Sequence, residues 1–253
     1  MSTDAEKAVL RETCSVFAVV AGVTWLLRRL EDVLPLVRDN LHLLVGALFL
    51  VTAIRCAERL PGGLGRYGLT LGGLLAPDPG EAADGLLAWA VDLFRALFRA
   101  TPLFLRELGV ALLLCALVFP PFIVAFHVWH APAHAFSFVP QRDFLAYLAT
   151  QVLVVALPEE ALFRGYLQGR LHDGMPARRQ WGGASFSPAA LVSQALLFAL
   201  LHFIVDLEVV RLAVFFPALL FGWLAARRGG IGAAIFVHAF SNLLSDVLVR
   251  GWL

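Results

Sequence analysis

Glu159 and Glu160 stand side by side in an apolar stretch that reads Pro-Glu-Glu-Ala-Leu-Phe-Arg from Pro158 to Arg164. Two later apolar stretches carry Phe198-Ala-Leu-Leu-His202 and His238-Ala-Phe-Ser-Asn242. An ionisable side chain in lipid costs about 2.5–3.5 kcal/mol on insertion scales, so such residues usually persist for a function. An acid pair, two imidazoles and an amide, each on its own membrane helix, are the parts from which a hydrolytic site can be built.

The spacing suggests roles. Residues three or four apart share a helix face, so Glu160 and Arg164 are set for an ion pair. Glu159 is turned about 100° from Glu160 and can face a cavity. Arg164 then neutralises and orients Glu160, and Glu159 is left to handle a proton as general base. Pro158 removes a backbone hydrogen bond and can open the helix to water. Phe198 and His202 share a face, and Phe198 can pack beside the imidazole. His238 and Asn242 also share a face and can project two donors toward a developing oxyanion. Together, His202 can help Glu159 polarise a water whose target carbonyl is held by His238 and Asn242. Taken singly, each motif has a plainer reading. A histidine in a membrane helix can simply bond a neighbouring carbonyl, and a Glu–Arg pair can be a structural clamp. Three polar motifs on three separate spans weigh against that.

Elements able to position these groups are membrane helices. Of 253 residues, 60% are hydrophobic and only 15% charged, against about 25% charged in soluble domains. The mean hydropathy is +0.79. A span needs roughly 20 apolar residues. Candidates are Thr13–Leu27, Leu41–Ala57, Leu108–Trp129, a Glu-bearing span from Phe144, Ala189–Val205, Leu212–Ala226 and Ile231–Val249. Gly85–Leu105 carries Asp92, Arg95 and Arg99, and reads as an interfacial amphipathic helix or a poor span. Pro120-Pro121 should kink the clear span. Pro61–Gly80 reads as a loop, and His172–Pro188 as a polar connection. Placing Glu159 at the depth of His202 requires the Glu-bearing helix to run on to about Leu171. The expectation is an all-α polytopic bundle of about seven to eight transmembrane helices. It forms a single membrane domain over 1–253, with helices lacking a recognised motif over 13–143 and the motif-bearing core over 144–253.

Short loops rich in Lys and Arg face the cytoplasm. Arg170, Arg178 and Arg179 mark one side, and Arg227 and Arg228, two helices later, the same side. Arg95, Arg99 and Arg106 precede the clear span on that side, whereas Arg28, Arg29 and Arg38 fall opposite. The apolar run after Thr13 meets Arg28-Arg29 with no small-residue cleavage site, so it reads as a retained helix. A net charge of +1 gives a nucleic-acid partner no electrostatic support. Cys14, Cys56 and Cys115 form no CxxC pair and read as small buried residues. His127, His130 and His134 could hold a metal by spacing, but beside Trp129 they read as interfacial. His42 and His172 read likewise. Ser193, Gln194 and Ser241 are expected to make interhelical hydrogen bonds.

The three motifs resemble those of the CAAX protease and bacteriocin-processing family of intramembrane proteases. Its pattern is Glu-Glu-x-x-x-Arg, then Phe-x-x-x-His, then His-x-x-x-Asn, matched here in order by Glu159-Glu160…Arg164, Phe198…His202 and His238…Asn242. The resemblance covers about Tyr147 to Val249. It implies glutamate-dependent hydrolysis of a peptide bond inside the membrane. Glu159 and His202 would activate water, His238 and Asn242 would stabilise the oxyanion, and Glu160 and Arg164 would support them. The partners implied are a membrane-anchored protein or peptide substrate and the lipid bilayer of a bacterial inner (cytoplasmic) membrane. No cofactor is expected, with zinc as the alternative. His-Glu-x-x-His is absent, so the metal-free reading ranks first. The chain is also somewhat similar to the myxosortase branch, whose substrates are C-terminal sorting tails; a CAAX-like segment is the other option. A different class, a non-catalytic peptide-binding or bacteriocin-immunity protein, would use the same polar site without cutting. A proton-coupled transporter would need paired discontinuous segments, which are not evident.

Overall fold

The computed structural model describes residues 3–73, 86–175 and 177–253. The end of the expected Pro61–Gly80 loop and Gly85 lie outside the described residues, as does Pro176 in the expected connection. Seven helices among the described residues are long and apolar enough to cross a membrane. They are α1 (Thr3–Leu30), α2 (Pro35–Glu58), α3 (Leu86–His130), α4 (Phe144–Gly174), α5 (Pro188–Asp206), α6 (Val209–Arg228) and α7 (Gly232–Trp252). The protein is an all-α multi-pass membrane bundle. Many large apolar side chains are exposed, among them Leu113, Leu117, Val128 and Phe216. In lipid such exposure is solvation, because acyl chains are as apolar as leucine.

Helix ends follow local chemistry. Asp4 and Glu6 open α1, and Arg28 and Arg29 close it, complementing the helix dipole. Proline occupies the first turn of α2 and of α5, where a missing N–H costs nothing, and Ser187 caps α5 by accepting from the Ala190 N–H. Gly229, at φ +66°, ends α6 in the left-handed conformation that glycine adopts without penalty.

Three expectations change. Residues 86–105 and Leu108–Trp129 are not separate segments. They belong to one 45-residue helix, α3, that runs through Pro102, Pro120 and Pro121. Proline is tolerated in membrane helices when neighbouring groups satisfy the freed carbonyls. At about 1.5 Å per residue α3 is about twice the roughly 30 Å of the hydrocarbon core. The connection after α4 is not featureless. It holds a two-stranded antiparallel hairpin, β1 (Arg179–Trp181) and β2 (Ala184–Phe186), turning at Gly182-Gly183 with both φ positive. His172 lies in the last turn of α4 instead of a loop. The expected extension of the Glu-bearing helix occurs, reaching Gly174.

Contacts between helix ends define two faces of the bundle. At one, Arg170 pairs with Glu12 of α1, Arg66 Nη2 lies 2.5 Å from Asp173 Oδ1, and Arg228 pairs with Glu107 of α3. Tyr67 donates its hydroxyl to Asp173 Oδ2 at 3.1 Å, and burial, then the Asp173 carboxylate, raise its pKa. At the other face Arg28 approaches Asp206, and Trp252 packs on Phe136 and His127. We call these the arginine-rich and the opposite face. The principal core joins α1 and α2 to the buried part of α4 through Phe17, Phe49, Phe163 and Tyr166, and to Phe198 of α5. Gly46 of α2 lets that helix meet α4: a Cβ there would come within 2.7 Å of the Val154 carbonyl oxygen.

Candidate active site

The sequence around Pro158 does not form a plain α-helix. Residues Gln151–Ala156 and Ala161–Leu167 have π-helical, i→i+5 character, and the α-helical turn Leu157–Glu160 lies between them. The Leu157 N–H donates to the Val152 carbonyl, bridging the register that Pro158 interrupts. Wide turns of this kind favour functional sites, because they re-aim side chains within a continuous helix. Here they present both carboxylates to α7.

Glu160 is completely buried. Its Oε1 accepts from Arg164 Nη1 at 2.9 Å and from His238 Nδ1 at 2.8 Å. The Arg164 side chain is equally buried, with its guanidinium carbon 4.3 Å from the Phe198 ring centroid and 5.3 Å from that of Phe221. Phe221 also stacks on His238 at 5.1 Å, and Phe163 meets Phe198 edge-on at 4.9 Å. Arg164 Nε and Nη2 have no hydrogen-bond partner among the described residues, so the aromatic faces supply much of their surroundings. Removing one member of such a pair costs about 3–5 kcal/mol, since the other charge is left buried alone.

Glu159 is different. Its side chain is partly exposed, and Oε2, which like Glu160 Oε2 has no hydrogen-bond partner among the described residues, lies 3.7 Å from His238 Nε2. A carboxylate can only accept, so His238 gives its Nδ1 proton to Glu160, and its Nε2 faces Glu159. In the neutral imidazole both facing atoms are acceptors. A water bonded to each at about 2.8 Å would point both hydrogens at these acceptors and its lone pairs away from them. This arrangement can activate water.

His202 donates from Nδ1 to the Phe198 carbonyl at 2.9 Å and stacks beside the Phe198 ring at 4.4 Å, as its spacing suggested. Its Nε2 is free for chemistry. Asn242 donates through Nδ2 to Gln151 Oε1 at 3.0 Å, leaving a second N–H. All seven residues singled out in the sequence therefore lie on helices that meet. Across helices, His238 reaches both carboxylates of α4, a contact that spacing within one helix does not give.

Two contributors were not singled out in the sequence. Phe221 is one aromatic in an apolar helix. Gln151, an amide in an apolar run two turns before Glu159, was a detectable anomaly. Gln194 does cross between helices, donating to the Ala218 carbonyl at 3.1 Å, and Gln168 donates to the Gly222 carbonyl at 2.9 Å. Ser241 instead bonds the Val237 carbonyl of its own helix. Cys14 is exposed toward lipid and Cys56 half-buried; Cys115 alone is buried as expected. Asp92 pairs with Arg95, and Asp246 with Arg250. His130 packs on Phe126, and His127 on Trp252.

Among the described residues no group of three or more His, Cys, Asp or Glu side chains is placed to hold a metal ion. His202 and His238 each spend one ring nitrogen on a protein acceptor, and Glu159 meets only one of them.

Residues 140–244 match the family described as "Rce1-like: Type II CAAX prenyl endopeptidase Rce1-like". The matched segment contains all three motifs. No curated protein and no solved structure matches the chain.

Proposed function

Starting from residues 140–244 as a segment of the CAAX protease and bacteriocin-processing family, we propose that the chain is an intramembrane endopeptidase that cleaves a membrane-associated polypeptide by Glu159-dependent attack of water. The observation that supports this most directly is the chain Glu159–His238–Glu160–Arg164. Arg164 and the two phenylalanines fix Glu160, Glu160 fixes the His238 ring, and His238 presents Nε2 to the partly exposed carboxylate of Glu159.

In this reading a water bridges Glu159 and His238 Nε2. Glu159 takes a proton as the water oxygen bonds to the carbonyl carbon. The free N–H of Asn242 and His202 Nε2, when protonated, face the oxyanion that develops. The C–N bond then breaks, the proton held by Glu159 passes to the departing nitrogen, the second water proton stays on the new carboxyl group, and the products are a carboxylic acid and an amine. Every step uses side chains of this chain, and no metal is invoked. A C-terminal sorting tail, as in the myxosortase branch, and a CAAX-like segment are the two substrate types weighed.

The test is co-expression with membrane-anchored substrates, followed by mass spectrometry of protein termini. Glu159→Gln should remove the new termini while the protein still inserts, and chelators should leave wild-type cleavage unchanged. Cleavage undiminished in Glu159→Gln ends the proposal. Wild-type binding of peptide without cleavage would leave the non-catalytic binding protein as the reading.

A further inference from the structure

All three motif helices are sealed on one side of the site and loose on the other. On α4, residues 161–168, running toward the arginine-rich face, are all buried, whereas none of residues 144–155 is. On α5, Leu201 is buried and none of residues 202–206 is. On α7, Ala233, Ala234, Ile235, Val237, His238 and Ala239 are buried and none of residues 240–247 is, although Leu248 and Gly251 near the helix end are buried again. Chain direction differs among these helices, so this is a property of depth: each opens toward the opposite face. His202 is four residues from the end of α5 at that face, about 6 Å along the axis. Glu159, His202, Asn242 and Gln151 are half-buried and line the loose side, while Glu160 and Arg164 form its floor.

The sealed side is the more closely packed of the two. A small polar cavity of about 170 Å³ reaches Arg164 there, lined also by Arg66, Gln168, His172 and Ser185, but Glu159, His202 and Asn242 do not line it. It falls below the roughly 300–1,000 Å³ of ordinary ligand sites.

The basic residues orient these faces. Arg59, Arg66, Arg170, Arg178, Arg179, Arg227 and Arg228 mark the arginine-rich face in short connections and helix ends. The excess of Lys and Arg places such a face in the cytoplasm. We infer that the cleft opens to the non-cytoplasmic face of the membrane. Its substrates, given the peptidase reading on which this half of the inference rests, are then polypeptides whose scissile segment lies at the outer leaflet, not cytoplasmic tails.

Accessibility tests the opening without using activity. In a variant with Cys14, Cys56 and Cys115 changed to alanine, single cysteines are introduced as Ser245→Cys (one turn beyond Asn242), Val155→Cys (one turn before Glu159) and Ser185→Cys (in the small cavity). A membrane-impermeant maleimide added to intact cells should label the first two. Ser185→Cys should label only after permeabilisation. Labelling of Ser185→Cys from outside would reverse the orientation. Labelling of Ser245→Cys without Val155→Cys would show the cleft closed at that face. Either result overturns the inference. The substrate half is read from termini that disappear in Glu159→Gln: they should fall in segments outside the cytoplasm, and cytoplasmic termini overturn it. If labelling is as expected but no terminus depends on Glu159, the peptidase reading fails, and the substrate class with it, while the opening stands.

Discussion

Glu159 and Glu160 are joined by one peptide bond but lie in two unlike regions. Glu160 belongs to the sealed half of the bundle, where arginine, imidazole and aromatic faces surround it and both of its hydrogen bonds go to Oε1. Glu159 belongs to the loose half, with one carboxylate oxygen lacking a donor and a histidine nitrogen opposite it. The difference teaches that a costly buried ion pair can serve as a fixture: its worth lies in the direction it gives His238, not in net stability.

The comparison can be broken most sharply at the loose end. Glu159→Gln should lower cleavage by about 10²–10⁴-fold, the range for a general base, with thermal unfolding in detergent nearly unchanged. A large loss of stability would mean that Glu159 is structural after all. Arg164→Leu should do the reverse in kind, lowering stability by about 3–5 kcal/mol through the stranded Glu160 charge. Melting without added peptide measures this. If Arg164→Leu folds with wild-type stability, the sealed half does not depend on its ion pair.

Asn242→Ala sharpens the picture within the loose half. It should lower kcat by about 10²–10³-fold, as for loss of an oxyanion donor, and leave KM little changed; a rise in KM alone would make Asn242 a binding group. The smallest effect belongs to the exposed pair at the arginine-rich face. Arg66→Ala should cost no more than about 1 kcal/mol, checked by the same melting experiment.

The polar motifs and the all-α bundle were both legible in the sequence, whereas the contacts between helices were not. Glu159, Glu160, Arg164, His202, His238 and Asn242 were legible because each is polar in an apolar run, where chance retention is costly. The i,i+4 rule correctly paired Glu160 with Arg164 and Phe198 with His202, since both contacts are made within one helix. It could not assign His238 to Glu159 and Glu160, because that contact crosses helices and depends on rotation about their axes. Helix α3 is divided in the sequence reading because Asp92, Arg95 and Arg99 look like an interfacial polar face, yet the helix continues past them and past Pro102. The β1–β2 hairpin rests on Gly182-Gly183, a turn signal obscured by polar surroundings. Phe221 was invisible because nothing in an apolar helix distinguishes one aromatic that stacks on a guanidinium from one that faces lipid.

The widened turns on either side of Leu157–Glu160 give the counting of residues a mechanical meaning. Each residue of a helix advances the side-chain direction by about 100°. Deleting a single residue from 151–156 would preserve a continuous rod but rotate everything before it against everything after it. Gln151 would swing away from Asn242, and the floor and mouth of the cleft would lose their common azimuth. Substitutions in this stretch should therefore be far better tolerated than changes of its length.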